Sequence, residues 1–315
     1  MSVHVPNGSN PPKPGSGTAR STQRQLINLA YRLLGSRADA EDVVQDAYAR
    51  FFAMPQQQQD AIESPGAWLS TVTSRLCLNL LGSARARREL YVGEWIPEPL
   101  PESTGWNDGP MGAVTVDPAD RITLDESINM AFLVVLESMT PAERVAFILH
   151  DVFCYSFTEV ADIVGRSPGA CRQLASSARR RVRAARTPAT PTAQQADIVK
   201  QFKRALEDGD VDALVGLLAP NVTAVGDGGG LVSTVLHPVV GAERIARALV
   251  QFDERLQHLT LLEHMVNGQP GLVAQQDGVT VSVYSFEITD DLITHIWGIR
   301  NPQKLHRWRQ ESLGE

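Results

Sequence analysis

Cysteine is scarce: three residues in 315, at positions 77, 154 and 171, are too few and too dispersed for a disulfide framework or a zinc-binding spacing. No run of about 18 uninterrupted apolar residues occurs, so no membrane-spanning helix is expected. The first 25 residues lack an apolar stretch behind a basic start, which argues against a signal peptide. No repeat with a period of about 20–50 residues is visible, which argues against a solenoid or propeller. Nothing in the residue pattern calls for a metal or a cofactor, and the expectation is a cytoplasmic protein with neither. Positive charge is also in deficit. Lys and Arg total 29 against 36 Asp and Glu, a net of −7, which taken whole argues against a nucleic-acid partner.

Hydrophobic residues make up 43% and charged residues 21%, so most of the chain can fold into packed cores. The length suits two ordinary domains or three small ones. Residues 1–20 are rich in Pro, Gly and Ser and read as a disordered arm. A helical block is expected over residues 21–90. Its first helix runs through Leu34 and stops at Gly35. In the second, Asp39, Glu41 and Asp42 place negative charge at the positive end of the helix dipole. There Val43, Val44, Ala47, Tyr48, Phe51 and Phe52 line one apolar face, with Asp42, Gln45, Asp46 and Ala49 opposite. Ser64 and Pro65 open a third helix, which ends in a basic run of Arg75, Arg85, Arg87 and Arg88 with no acid between them.

An acidic, Pro-rich linker is assigned to residues 91–121. The wider stretch 89–126 carries nine acids and one Arg. Its Trp95 and Trp106 are unusual for a spacer and point to docking. A second helical block, residues 122–186, contains two capping boxes, Thr140 with Glu143 and Ser156 with Glu159. A short helix ending at Gly165 and a longer one opening at Pro168 form a helix-turn-helix pattern. Residues 187–196 read as a second linker. Residues 197–315 turn to α+β, with antiparallel hairpins at Asn267-Gly268 and Asp277-Gly278 and alternation of Val279, Val281 and Val283 with Thr280, Ser282 and Tyr284.

The helix from Pro168 is the strongest chemical signal. Residues Arg166 to Arg186 hold seven arginines and no acid. Arg172, Gln173 and Ser176 come first on its outward face, where base edges are met, and Arg179, Arg180 and Arg183 follow, where phosphates are met. The alternative is a solvated basic helix end, which the capped helix and turn before it disfavour. For the helix through Arg75, contact by Thr71, Ser74 and Asn79 with DNA and a merely solvated face remain equally open on pattern.

These residues resemble a known family. The run Asp39-Ala-Glu-Asp-Val-Val-Gln-Asp-Ala-Tyr-Ala-Arg-Phe-Phe52 is similar to region 2 of bacterial group IV, or extracytoplasmic-function, sigma factors of the sigma-70 family. Pro65-Gly-Ala-Trp-Leu69 and the basic helix after it resemble the part that melts and reads the −10 element. Met139-Thr-Pro-Ala-Glu-Arg144 and Phe157-Thr-Glu-Val-Ala161 resemble region 4, which reads the −35 element. The resemblance implies a chain that binds the RNA polymerase core through its β′ and β subunits and directs it to promoter DNA. It places core binding at Asp42, Gln45, Asp46 and Phe51, the −10 contacts at Thr71, Ser74, Arg75, Asn79, Arg85, Arg87 and Arg88, and the −35 contacts at Arg172, Gln173, Ser176, Arg179, Arg180 and Arg183.

The remainder resembles a subgroup whose C-terminal domain is SnoaL-like. Trp95-Ile-Pro-Glu-Pro99, Asp227-Gly-Gly-Gly230 and Asn301-Pro-Gln-Lys-Leu305 match its three motifs, with Ile96, Leu231 and Gln303 departing from the usual Leu, Lys and Asp. The expected fold is multidomain: two all-α sigma modules, the second with a helix-turn-helix, then an α+β SnoaL/NTF2-like cone. The resemblance implies regulation in cis, by docking of the C-terminal domain on region 2 and the linker through Trp95, Pro97, Glu98, Asp227, Gly228, Gly229, Asn301, Pro302 and Lys304. The C-terminal domain carries 10 basic and 16 acidic residues, and its negative charge is expected to favour contact with the basic readers. SnoaL-like folds include enzymes. Here Ile293, His295, Trp297 and Ile299 read as one strand face, and a His beside Ile and Trp reads as a core residue rather than a catalytic base. A small-molecule ligand for this domain stays open. Two further readings remain: a one-component regulator, which leaves Asp39–Phe52 unexplained, and an enzyme with a DNA-binding appendage.

Overall fold

The computed structural model describes residues 16–88, 91–101, 128–185, 190–255 and 259–310. Residues 1–15 of the expected arm, the linker beyond Pro101 with Trp106, and the side chains of Arg85, Arg87 and Arg88 lie outside the described residues.

The first helical block holds α1 (Ser16–Leu34), α2 (Arg37–Ala53), α3 (Gln56–Asp60) and α4 (Pro65–Arg88). Helix α1 begins at Ser16, inside the stretch read as an arm. Gly35 ends it with φ +67°, a left-handed conformation that a β-carbon would disfavour. Ser36 then caps α2 by accepting the Asp39 N–H at 3.2 Å. The second block holds α5 (Met130–Glu137), α6 (Pro141–Phe147, continued as a π-helical turn to Val152), α7 (Phe157–Val164) and α8 (Pro168–Ala185). Both capping boxes form reciprocally, and Gly165 closes α7 at φ +70°.

The two blocks share one hydrophobic core. Leu26, Leu29, Leu33, Val44 and Leu69 of the first pack in a single cluster with Phe147, Ile148, Leu149 and Val160 of the second. Burial of these side chains, at roughly 1.5–3 kcal/mol each, makes the two blocks one unit in the free chain.

The C-terminal domain contains α9 (Thr192–Glu207), α10 (Val211–Leu217), β1 (Leu218–Asp227), β2 (Val239–Val240), α11 (Ala242–Arg255), β3 (Leu259–Val266), β4 (Gln269–Gln276), β5 (Val279–Thr289), β6 (Leu292–Ile299) and α12 (His306–Gln310). Helix α9 starts within residues read as linker. The sheet order is β2-β1-β6-β5-β4-β3, with only β1 and β6 parallel among these pairs. Asn267-Gly268 and Asp277-Gly278 turn two hairpins with positive φ at both residues, as a type I′ turn requires. This is the expected SnoaL/NTF2-like arrangement: α9, α10 and α11 cover one sheet face, where Phe202, Leu214 and Ile245 meet Leu272, Phe286 and Ile296.

The opposite face is covered as well. Val266, Val273, Val283, Trp297 and Ile299 pack there against Ile96 of the linker, Met130 of α5, and Leu305 and Trp308. Along β5 burial does not follow residue type: Val279 is 49% exposed while Thr280 and Ser282 are fully buried. Thr280 lies under α12, where its hydroxyl donates to the Trp308 carbonyl at 3.1 Å. Nor do Ile293, His295, Trp297 and Ile299 share one face. The ladder slips between Glu287 and Ile288, so Ile293 joins the helix-covered core and Trp297 the opposite one.

Candidate functional site

Three segments distant in sequence meet at the Asp227 carboxylate, which is 1% exposed. Oδ2 accepts the Ile96 backbone N–H at 3.0 Å and the Lys304 ammonium at 2.6 Å. Oδ1 accepts the Tyr91 hydroxyl at 2.7 Å and the Gly229 N–H at 3.0 Å. Lys304 also donates to the Ile96 carbonyl and lies 4.1 Å above the Trp95 ring. Such a buried pair is stable only because each partner is fully hydrogen-bonded. Asn301 donates to the Tyr91 hydroxyl at 2.7 Å, and the half-buried Pro302 follows it in the turn that presents Lys304. At Gly229, φ is +63° and a β-carbon would overlap the Asn301 carboxamide; at Gly228 one would strike the Val232 carbonyl. The three resemblance motifs thus form one clamp on the linker.

The linker passes that grip to the first helical block. Pro97 and Glu98 are buried. Glu98 accepts the Arg37 N–H at 2.6 Å at the start of α2, and its own N–H donates to the Gly35 carbonyl at 2.8 Å. Tyr31 donates to the Glu98 carbonyl at 2.8 Å. Burial drives the Glu98 carboxyl above the ordinary carboxylate range, opposed by N–H donors from Arg37 and Ala38 and by the charges of Arg307 and Lys304.

Asn267 is a functional residue that the sequence reading took only as a turn. Its side chain accepts the Leu100 N–H at 2.9 Å and donates to the Tyr31 hydroxyl and the Ile128 carbonyl, each at 2.8 Å. It joins linker, α1 and the approach to α5. Trp308 was also missed; its indole N–H donates to the Pro99 carbonyl at 2.9 Å. Both belong to turn or terminal segments whose periodicity carries no signal.

On α2, Asp42, Gln45 and Asp46 are exposed, and Asp46 pairs with Arg50 at 2.9 Å. Phe51 is not on that face. It is half-buried and packs edge-on against Trp68, ring centroids 5.5 Å apart. Phe52, expected inside, is 68% exposed. The two adjacent rings cannot both reach the core where α2 nears its end, and Trp68 takes Phe51.

On α4, Thr71 is half-buried and Arg75 and Asn79 are exposed. Ser74, expected outside, is fully buried, because the second helical block packs on this side of α4. Arg75 donates across to the Asp162 carbonyl of α7 at 2.8 Å. On α8, Arg172, Gln173, Ser176, Arg180 and Arg183 are exposed. Arg179 is not a free phosphate contact: its guanidinium forks onto the buried Asp151 at 2.5 and 3.3 Å and ties α8 to the turn after α6.

The charge argument also needs correction. The ion pair described between the acidic C-terminal domain and the first block uses a basic residue of that domain, Arg307 bridging to Glu41 of α2, itself held by Arg37 at 2.8 Å. Specific contacts, rather than net charge, set the docking. Cys154 and Cys171 are buried and form no disulfide, and burial raises the Cys171 thiol, which disfavours the reactive thiolate.

Known proteins give the same division. Residues 18–87 match the model of Sigma-70 region 2 and residues 129–182 that of Sigma-70 region 4. The ECF RNA polymerase sigma factor SigJ of Mycobacterium tuberculosis is 35% identical over 294 residues, 90% of each chain. The probable ECF RNA polymerase sigma factor SigI of the same species is 34% identical, over 96% of this chain and 98% of that one. The crystal structure of M. tuberculosis SigJ superposes with a TM-score of 0.70 at 31% identity, covering 93% of this chain and 98% of that one. The chain belongs to the extracytoplasmic-function RNA polymerase sigma factors, transcription initiation factors that bind core polymerase and promoter DNA.

Proposed function

We propose that this sigma factor is held closed in the free state by its own C-terminal domain and acts in the cytoplasm after that domain is displaced. One observation carries the reading: Asp227 and Lys304 grip the linker backbone at Ile96, and two residues on Glu98 grips α2 at Arg37. Helix α12 also reaches α2 through Arg307 and Glu41, one residue before Asp42. In this reading Asp42, Gln45 and Asp46 meet the β′ subunit, and region 4 engages the β side. Arg75 and Asn79, with Thr71 and Arg85, Arg87 and Arg88, serve the −10 element once α4 is released from α7. Arg172, Gln173 and Ser176 read −35 base edges while Arg180 and Arg183 hold phosphates. The domains are residues 21–90, 122–186 and 197–315, joined by linkers.

Run-off transcription tests this with core polymerase and a promoter carrying both elements. Removal of residues 196–315, or Asp227→Ala in the full chain, should raise initiation at limiting sigma factor. Unchanged output from both would sink the reading.

A further inference from the structure

A pocket of about 890 Å³ lies between the second helical block and the C-terminal domain. One wall is α5 and the last turn of α8, with Phe132, Val135 and Val182; the other is the sheet, with Thr223, His295 and Trp297. Val225 and Trp297 of the lining pack on the sheet face away from α9–α11, whereas Phe286 and Ile288 belong to the helix-covered core and Thr192 and Gln195 to the start of α9, so the pocket lies mainly on the interdomain side and reaches the edge of the domain interior. Its size falls in the range of small-molecule sites, and an apolar lining with a few convergent polar groups is the usual build of such a site.

The polar groups indicate what could occupy it. Among the described residues of the lining, Glu287 and His295 alone have titratable side chains, and they face each other at 2.7 Å between Oε2 and Nδ1. His295 lies nearly parallel to the Trp297 ring, with centroids 5.6 Å apart and planes 9° from coplanar. With Nδ1 turned to Glu287, Nε2 is the ring nitrogen left to meet a ligand. Among the described residues no Lys or Arg lines the pocket, so none of them would balance a phosphate or a carboxylate group. The other polar groups are neutral amides and hydroxyls, such as Asn221 and Thr223.

We propose that this interdomain pocket binds an uncharged, flat, largely apolar organic molecule bearing a carbonyl or hydroxyl group, and that binding represses the sigma factor. The apolar body would lie between Phe132, Val135 and Trp297, with its polar group at His295. Repression follows from the position of the walls. They belong to two parts of the chain that must separate for the closed form to open, so the complete site exists only in the closed form. A ligand that binds one of two states shifts the population towards it. The direction of this effect rests on the closed-state reading above; the existence of the site does not.

Nile red, a neutral flat dye with a carbonyl group, is a suitable probe. With the full-length protein it should give a saturable, blue-shifted fluorescence signal at one site per chain. Thr223→Trp on the sheet wall and Val182→Trp on the helical wall fill the pocket from opposite sides. Each should weaken binding by about tenfold or more, with thermal melting used to confirm that each variant is folded. Dye added before core polymerase should reduce run-off transcription by the wild type and not by a folded pocket-filled variant. Absent saturable binding, or binding untouched by both substitutions, would overturn the site. Binding that leaves transcription unchanged or raises it would overturn the repression. The fluorescence readout needs no polymerase, so failure of the site is distinguishable from failure of the Asp227→Ala test.

Discussion

The two basic helices of this sigma factor carry similar side chains and sit in opposite circumstances. Helix α8 presents Arg172, Gln173, Ser176, Arg180 and Arg183 to solvent. Helix α4 is packed over by the second block, its Ser74 is buried, and its Arg75 is engaged by the Asp162 carbonyl. Charge and helical periodicity are properties of one helix, whereas availability depends on what packs beside it. In the free chain the helix proposed to read the −35 element is therefore open and the one proposed to read the −10 element is constrained. A protein in this state should hold DNA weakly through α8 and fail to melt it, because α4 is pinned to the block that carries α8.

The largest effect that would break this contrast is expected at Asp227. Asp227→Ala leaves the buried Lys304 ammonium without its carboxylate, and removal of one partner of a buried pair costs about 3–5 kcal/mol. The Ile96 and Gly229 N–H groups lose their acceptor as well. Hydrogen exchange at Ile96 and Leu100 should accelerate by two orders of magnitude or more, by the rule of about 1.4 kcal/mol per factor of ten. Unchanged protection at both amides would show that the clamp does not hold the linker.

Arg144 gives the next effect. It is 2% exposed on α6, and its Nη1 donates to the Leu33 carbonyl at the end of α1 at 3.0 Å and to Glu137 at 2.8 Å. Burial lowers its pKa to about 9. Arg144→Met should remove the cross-block hydrogen bond and leave the Leu33 carbonyl buried and unpaired, at about 1–3 kcal/mol. Labels on α2 and α8 should report a larger or broader distance in the variant. A distance distribution identical to wild type would mean that the shared apolar core alone holds the blocks together.

Much of this was legible in sequence because capping and periodicity are local. Gly35, Thr140, Ser156 and Gly165 mark helix ends that appear as read, and the turn pairs at Asn267 and Asp277 mark hairpins. What was not legible depends on a second surface. Thr280 looks solvent-facing until α12 covers it, and Ser74 looks exposed until the second block arrives. Arg179 looks like a phosphate contact until Asp151, 28 positions earlier, turns towards it. The clamp is intermediate. Its motifs were visible through resemblance, but the partners Tyr31, Asn267 and Trp308 carry no pattern that distinguishes them from ordinary core or turn residues.

Arg75→Ala sharpens the contrast at smaller cost. Its bond to the Asp162 carbonyl lies at an exposed site, so its loss should cost on the order of 0.5–1.5 kcal/mol. Binding of the free protein to a single-stranded −10 oligonucleotide then separates two effects. If Arg75 is chiefly a tether, affinity rises; if it is chiefly a DNA contact, affinity falls. A fall with no change in the α2–α8 distance would remove Arg75 from the account of closure.

The smallest effect is a pH dependence at the joint between linker and α2. Glu98 has its carboxyl raised above the usual range, mainly by burial. A carboxyl in that condition binds a proton more readily when docked than when released to water. Docking therefore favours proton uptake, so the docked state gains as pH falls through the raised value and loses as pH climbs past it. Glu98→Gln cannot titrate and should flatten the dependence, while keeping an oxygen for the Arg37 N–H. Urea midpoints of wild type and Glu98→Gln should then diverge with pH, wild type losing ground to the variant as pH rises above the ordinary carboxylate range. The opposite slope would mean that the N–H donors of Arg37 and Ala38, with Arg307 and Lys304, outweigh burial and hold Glu98 as an anion. The joint would then be an electrostatic fastening, strongest at neutral pH, and weakening it would require added salt rather than alkali.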